Sequence, residues 1–193
     1  IYDDEVCQNA SKQEIIRRYY SSLNRLAKGE CKSEEVYKIE LLMKQAKIST
    51  ELRKVVSAAL LRAETTESPA AAIELPDKSI VTAKTSDLLG ASAALILNAV
   101  KVLGNIDDSI HLISPTVIEP VQKLKTNYLG SSNPRLHTDE ILIALSMCAA
   151  SDDTAQLALE QLPKLRGCQV HTSVMLSNVD IKIFNKLGIQ LTS

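Results

Sequence analysis

Tryptophan is absent from this sequence of 193 residues, Phe184 is its single phenylalanine, and aromatic residues make up 3% of it. Single-stranded nucleic acid is held by stacking bases on aromatic rings, so that class of function is disfavoured. Charge of one sign is lacking too. The net charge is −1, and no strong field draws the chain towards nucleic acid or an anionic membrane. Long apolar runs are missing. The longest, Ala91 to Val100, contains Ser92 and Asn98 and falls short of the roughly 20 residues that span a bilayer. No signal peptide is visible at residue 1. Cysteine is sparse and scattered: Cys7, Cys31, Cys148 and Cys168 read as reduced thiols of a cytoplasmic protein, not as a disulfide framework. Ile1 stands where an initiator Met would, so the chain is expected to be the C-terminal part of a longer protein.

What remains is 45% apolar and 23% charged, a globular balance whose core must be built from Leu, Ile, Val and Ala. Residues 1–66 read as helices. Ser11 and Glu14 fit a capping box, and Ile15, Ile16, Tyr19, Tyr20, Leu23 and Leu26 follow at helical spacing. Ser33 caps a second helix. A third starts near Thr50, with Leu52, Val55, Val56, Ala59 and Leu60 turned inward. Three short-linked helices make a small antiparallel unit.

The polar stretch from Glu64 to Pro69 marks a boundary. Strands alternate with helices over residues 67–193. Pro76-Asp77-Lys78 reads as a hairpin turn between strands at 71–75 and 79–83. Thr85 or Ser86 caps a long helix ending near Gly104, residues 110–113 form a short strand, and Ser114-Pro115 opens the next helix. Helices over 137–150 and 153–165, a strand over 169–175, a short helix opened by Ser177 and Asp180, and a last strand at 189–192 complete the pattern. The fold class is therefore α/β, with a small N-terminal helical subdomain followed by a layered α/β domain. The hairpin makes its sheet mixed.

The stretch from Gly130 to Glu140 carries the densest chemistry. It brings Ser131, Ser132, Asn133, Arg135, His137, Asp139 and Glu140 to the start of an apolar helix, where free amides gather. Thr138 reads as the helix cap. Arg135 suits a bidentate clamp on phosphate or carboxylate, and His137 with Glu140 suits proton transfer near neutral pH. The plainer reading is a capped helix whose acids match its dipole.

A second candidate is Thr82-Ala83-Lys84-Thr85-Ser86, between a strand and a helix start. Lys84, Thr85 and Ser86 suit an anion there, although the glycines of a phosphate loop are missing. The third is Cys168-Gln169-Val170-His171. On a strand, Cys168 and His171 face opposite sides, so one metal does not reach both, and Cys168 stays a nucleophile candidate. No metal site or cofactor is assigned. HExxH and GxxxxGK[ST] are absent. The zinc-deaminase pairing fails as well, because the acid two residues after His137 is Asp139 and no C-x-x-C exists.

Three strings carry a family likeness: Ser79 to Ser86 with Leu88 to Ala94, Leu129 to Leu145, and Leu165 to Cys168 with Val174 to Ser177. They resemble the bacterial protein family called domain of unknown function 1846, over most of the chain. The resemblance implies a helical subdomain followed by an α/β subdomain at the C-terminal end of a longer protein. It implies no activity.

The leading expectation is a cytoplasmic α/β module that binds a small anionic ligand bearing a phosphate or a nucleotide. Its helix starts at Thr85 and Thr138 supply donors, with Lys84 and Arg135 as clamps. The missing N-terminal part would complete the site, and whether the whole is an enzyme is left open. The alternative is a non-catalytic homo-oligomer assembled through the Ile15-Tyr19-Leu23 face. Neither nucleic acid nor membrane is expected as a partner.

Overall fold

A computed structural model describes residues 4–193. Helix α1 (Asp4–Ala27) packs on α2 (Ser33–Gln45) through Ile16, Met43 and Ile48, with Ile15, Tyr19, Tyr20 and Ile39 at the margin. Ile15 and Tyr19, two residues of the Ile15-Tyr19-Leu23 face, are thus partly buried. The first helix does not begin at a capping box. Its upstream turn is already helical, so Ser11 has no free amide to cap, and its hydroxyl donates back to the Cys7 carbonyl at 2.9 Å. Glu14 pairs instead with Arg17 and Arg18. Lys32, not Ser33, occupies the cap position of α2.

A single 3-10 turn, Thr50–Leu52, leads into α3 (Lys54–Thr66). Four strands form one sheet in the order β2-β1-β3-β4: β1 (Ala70–Glu74), β2 (Ile80–Lys84), β3 (Gln169–Thr172) and β4 (Gln190–Thr192). The first strand is antiparallel to β2 and β3, and β3 is parallel to β4. The sheet is mixed, as the hairpin predicts. A parallel pair needs a crossover, and α8 (Asn178–Lys186) provides it.

Strand β1 is covered on both faces. Ala72 meets Val55 and Ala59 of α3. Ala71 and Ile73 point the other way, into the main core with Leu95, Ile96, Leu145 and Phe184, as the two-residue period of a strand requires. Its alanines let helices approach closely from both sides. Leu52 and Leu60, expected inward, are exposed, because α3 meets the sheet only along its Val55–Ala59 edge.

The second face is covered by α4 (Ala91–Leu103), with α6 (Thr138–Ala149) and α7 (Asp153–Leu159) packed beside it. Between them, α5 (Pro115–Lys123) runs on into a π turn, Leu124–Tyr128. Residues 110–113 form no strand. That run is apolar because Leu112 and Ile113 enter the core from a loop. The third strand stops at Thr172, whose hydroxyl donates to the Val174 carbonyl and turns the chain. Among the described residues no helix is long and apolar enough to cross a membrane.

One buried polar cluster fastens the N-terminal helices to the sheet. Arg53, fully buried just before α3, donates through Nε to the Thr192 hydroxyl at 3.1 Å and through its second terminal nitrogen to the carbonyls of Val170 and Gln190. Its other terminal nitrogen reaches the Gln13 side chain on α1. The Thr192 hydroxyl donates to the Val170 carbonyl, so it can only accept from His171 Nδ1, 2.9 Å away. Burial, with the Arg53 charge beside it, brings the His171 imidazole down from 6.5 to about 4.

His171 therefore folds neutral, while in the unfolded chain it takes up a proton below pH 6.5. Stability is fully present above that pH and drains away as the pH falls towards 4, by on the order of 3 kcal/mol. Urea midpoints measured across this window are expected to fall with pH in the wild type and to flatten in His171→Gln.

Candidate functional site

A cleft of about 240 Å³ opens at the end of the sheet where β1 begins and β2 and β3 finish. Pro69, Thr85 and Thr172 form its floor. Residues 90–93 at the start of α4 form one wall, Asn133, Arg135 and His137 a second, and the segment from Val174 to Ser177 with Asp180 a third.

The start of α4 supplies donors. Gly90, at its cap, has no side chain to offer, and its amide donates to the Leu136 carbonyl at 3.2 Å. The first amide that bonds back into the helix is Ala94, to the Gly90 carbonyl. The amides of Ala91, Ser92 and Ala93 meet no acceptor among the described residues. An uncapped helix start of this kind presents about half a positive charge with its N–H groups outward. Thr85 and Ser86 do not cap this helix. The Thr85 amide extends the sheet by donating to the Pro69 carbonyl, and the Ser86 hydroxyl closes a tight turn on the amides of Leu88 and Leu89. Leu89 then bridges to Leu136, which holds the chain extended as far as Gly90.

The Asn133-Arg135-His137 wall is stiffened from within. The Ser131 hydroxyl spans the Asn133 amide and carbonyl, and the Asn133 side chain accepts from the Arg135 amide. From the π turn, Lys125 is buried and donates to the Arg135 carbonyl and, at 2.8 Å, to Glu140. The Arg135 guanidinium spends only Nε on protein, donating to the Ser86 carbonyl at 2.6 Å. Its terminal N–H groups meet no acceptor among the described residues, and the residue lines the cleft.

His137 is held by Asp180, an acid from the first turn of α8. Its Nδ1 lies 3.2 Å from Asp180 Oδ2. A carboxylate only accepts, so the contact places a proton on Nδ1, and in the neutral ring Nε2 is the remaining acceptor. The other Asp180 oxygen accepts from both the amide and the hydroxyl of Thr138, at 3.0 and 2.8 Å. The Ser177 hydroxyl donates to Oδ2 at 2.8 Å. Burial alone raises the Asp180 carboxyl, but the Thr138 and Ser177 donors and the His137 ring outweigh it and hold the group below its ordinary value.

These bonds correct two expectations. Thr138 is not the cap of α6. His137 holds the cap position, and Thr138 is buried one residue inside with its donors committed to Asp180. Glu140 is not the proton partner of the imidazole, because it accepts from the His137 backbone amide at 2.7 Å and from Lys125.

Of the predicted site residues, Asn133, Arg135, His137 and Thr85 line the cleft. Ser131 and Thr138 support it from behind. Lys84, Ser86 and Ser132 are exposed outside it. Cys168 lines a separate depression beside Glu74 and Lys78, and burial pushes its thiol up, away from the thiolate form. His171 is buried against Thr192, away from the cleft. No cluster of His, Cys, Asp and Glu able to hold a metal occurs among the described residues. The missed residues are Asp180 and Ser92. Asp180 was visible only as a helix-capping acid, and Ser92 only as a polar break in an apolar run.

The sequence matches two family models end to end. One, the N-terminal domain of unknown function DUF1846, covers residues 1–47, and the other, its C-terminal counterpart, covers residues 51–193. The chain belongs to the DUF1846 family. The two models meet ahead of α3, the helix that packs on the sheet. Bacterial relatives named UPF0371 protein are similar over the full chain: 52% identical in Corynebacterium aurimucosum, 53% in Corynebacterium diphtheriae and 47% in Streptococcus uberis. The chain spans 39% of the length of each of these relatives.

In this DUF1846 chain Asp180 joins two helix starts, so replacing it is expected to be felt as stability. Asp180→Asn keeps one accepting oxygen but turns N–H groups towards the Thr138 or Ser177 donors. A loss of roughly 2–3 kcal/mol in urea unfolding near neutral pH is expected. The difference should shrink as the pH falls through the lowered value of the carboxyl, where the wild type loses the same charge.

Proposed function

We propose that the cleft binds a small phosphate-bearing ligand and that His137 exchanges a proton with it. The observation that carries this reading is the pairing of two sets of uncommitted donors on one cleft. The amides of Ala91, Ser92 and Ala93 supply one, and the terminal N–H groups of Arg135 supply the other. Helix-start amides with a forked cation suit a tetrahedral oxyanion. Asp180 is the single acid among the lining residues; its oxygens are turned to Thr138, Ser177 and His137, and the Arg135 cation on the same cleft offsets its charge.

The volume of about 240 Å³ lies below the range for drug-sized ligands. It suits a phosphate head with a few carbons better than a whole nucleotide. A cytoplasmic setting belongs to this reading, since all four cysteines are free thiols.

Assembly into a homo-oligomer is the second reading, compatible with the first. Supporting it is an apolar groove between α5 and α6, where Leu124, Leu129, Ile143 and Met147 are exposed. Of the Ile15-Tyr19-Leu23 face of α1, Ile15 and Tyr19 are partly covered by packing within the chain.

Calorimetric titration with inorganic phosphate and small phosphomonoesters tests the ligand reading. The wild type is expected to bind, and Arg135→Ala to weaken binding by about tenfold or more. Equal binding by Arg135→Ala, or none by the wild type, overturns the reading.

A further inference from the structure

Ser92 is the residue in the cleft with no structural duty. It is 4% exposed, lines the cleft, and its hydroxyl meets no partner among the described residues. A buried serine at a helix start ordinarily turns its hydroxyl to a nearby backbone group. Here it sits among the three uncommitted amides of α4. The Gly90–Leu136 bond fastens that helix start to the residue preceding His137. One cleft therefore joins a free hydroxyl, an imidazole with Nε2 unoccupied, and the acid that orients that imidazole. Hydroxyl, base and orienting carboxylate are the parts of an activated nucleophile.

We propose that Ser92 accepts a phosphoryl group from a small phosphate monoester. This rests on the phosphate reading of the same cleft. The charge of the site selects phosphoryl over a neutral acyl ester, because the α4 amides and Arg135 match oxygens that carry negative charge throughout the reaction. Val174, Met175 and Leu176 give one side of the cleft an apolar wall, where the carbon part of the ester lies.

In the step, Ser92 Oγ attacks phosphorus while its proton passes to His137 Nε2. The bond from phosphorus to the ester oxygen breaks, and that oxygen takes the proton from His137 as the alcohol leaves. Water then attacks the phosphoserine, gives a proton to His137, and releases inorganic phosphate as Ser92 Oγ regains a proton.

The 193-residue chain, incubated with p-nitrophenyl phosphate, tests this. A burst of p-nitrophenolate is expected, and an acid quench followed by peptide mass spectrometry is expected to find one phosphoryl group on Ser92. Ser92→Ala should retain phosphate binding by calorimetry and show no burst. His137→Gln should slow turnover by about 100-fold or more. Wild-type protein that binds phosphate yet forms no phosphoserine overturns the proposal while leaving the binding reading intact. So does a Ser92→Ala variant that turns over at the wild-type rate. Wild-type protein that does not bind phosphate removes both.

Discussion

The Asp180 carboxylate is the point on which the cleft depends. It sits at the third position of α8 and accepts from the Thr138 amide and hydroxyl at the start of α6. It also holds Ser177 and the His137 ring. Each donor offsets part of the cost of burying a charge, which otherwise runs to several kcal/mol. The outcome is geometric as well as energetic. Two helix starts and one imidazole are tied to a single group, so the ring cannot turn without breaking a bond to an ionised acceptor. The free Nε2 is a consequence of that tie.

The donors of α4 are available for the opposite reason. Gly90 brings no capping side chain, and the bonds it makes are to Leu136 and Ala94. Two helix starts meet at the cleft and are treated differently: at α6 the Thr138 amide is taken by Asp180 and the His137 amide ahead of it by Glu140, while the first three amides of α4 are left open. On the far side of the sheet, Arg53, His171 and Thr192 join α1 and α3 to β3 and β4 by buried bonds, which gives the strands that end at the cleft a fixed backing.

The sequence made local features legible and tertiary ones obscure. The hairpin at Asp77, the cap at Ser114 and the Ser177–Asp180 helix start are short-range patterns and stand as read. Arg135 and His137, which line the cleft, stand out because charge and imidazole on a polar loop are uncommon. The cap of α4 falls at Gly90 and not at Thr85 or Ser86 because the bridge from Leu89 to Leu136 joins residues 47 positions apart, and no local rule contains it. Asp180 was read as a cap, which it is. Its second role, towards His137, crosses 43 positions of sequence and has no periodicity to reveal it. Glu140, at helical spacing from His137, was the natural wrong partner.

The most direct measurement of the central claim is a nitrogen–proton correlation spectrum of the chain titrated with inorganic phosphate. The open helix start predicts that the amides of Ala91, Ser92 and Ala93 move together to lower field as they donate to the anion, with the Arg135 guanidinium signals following, while the Thr138 amide, already bonded to Asp180, stays in place. Movement centred on Thr138, or no movement at residues 91–93, would contradict it.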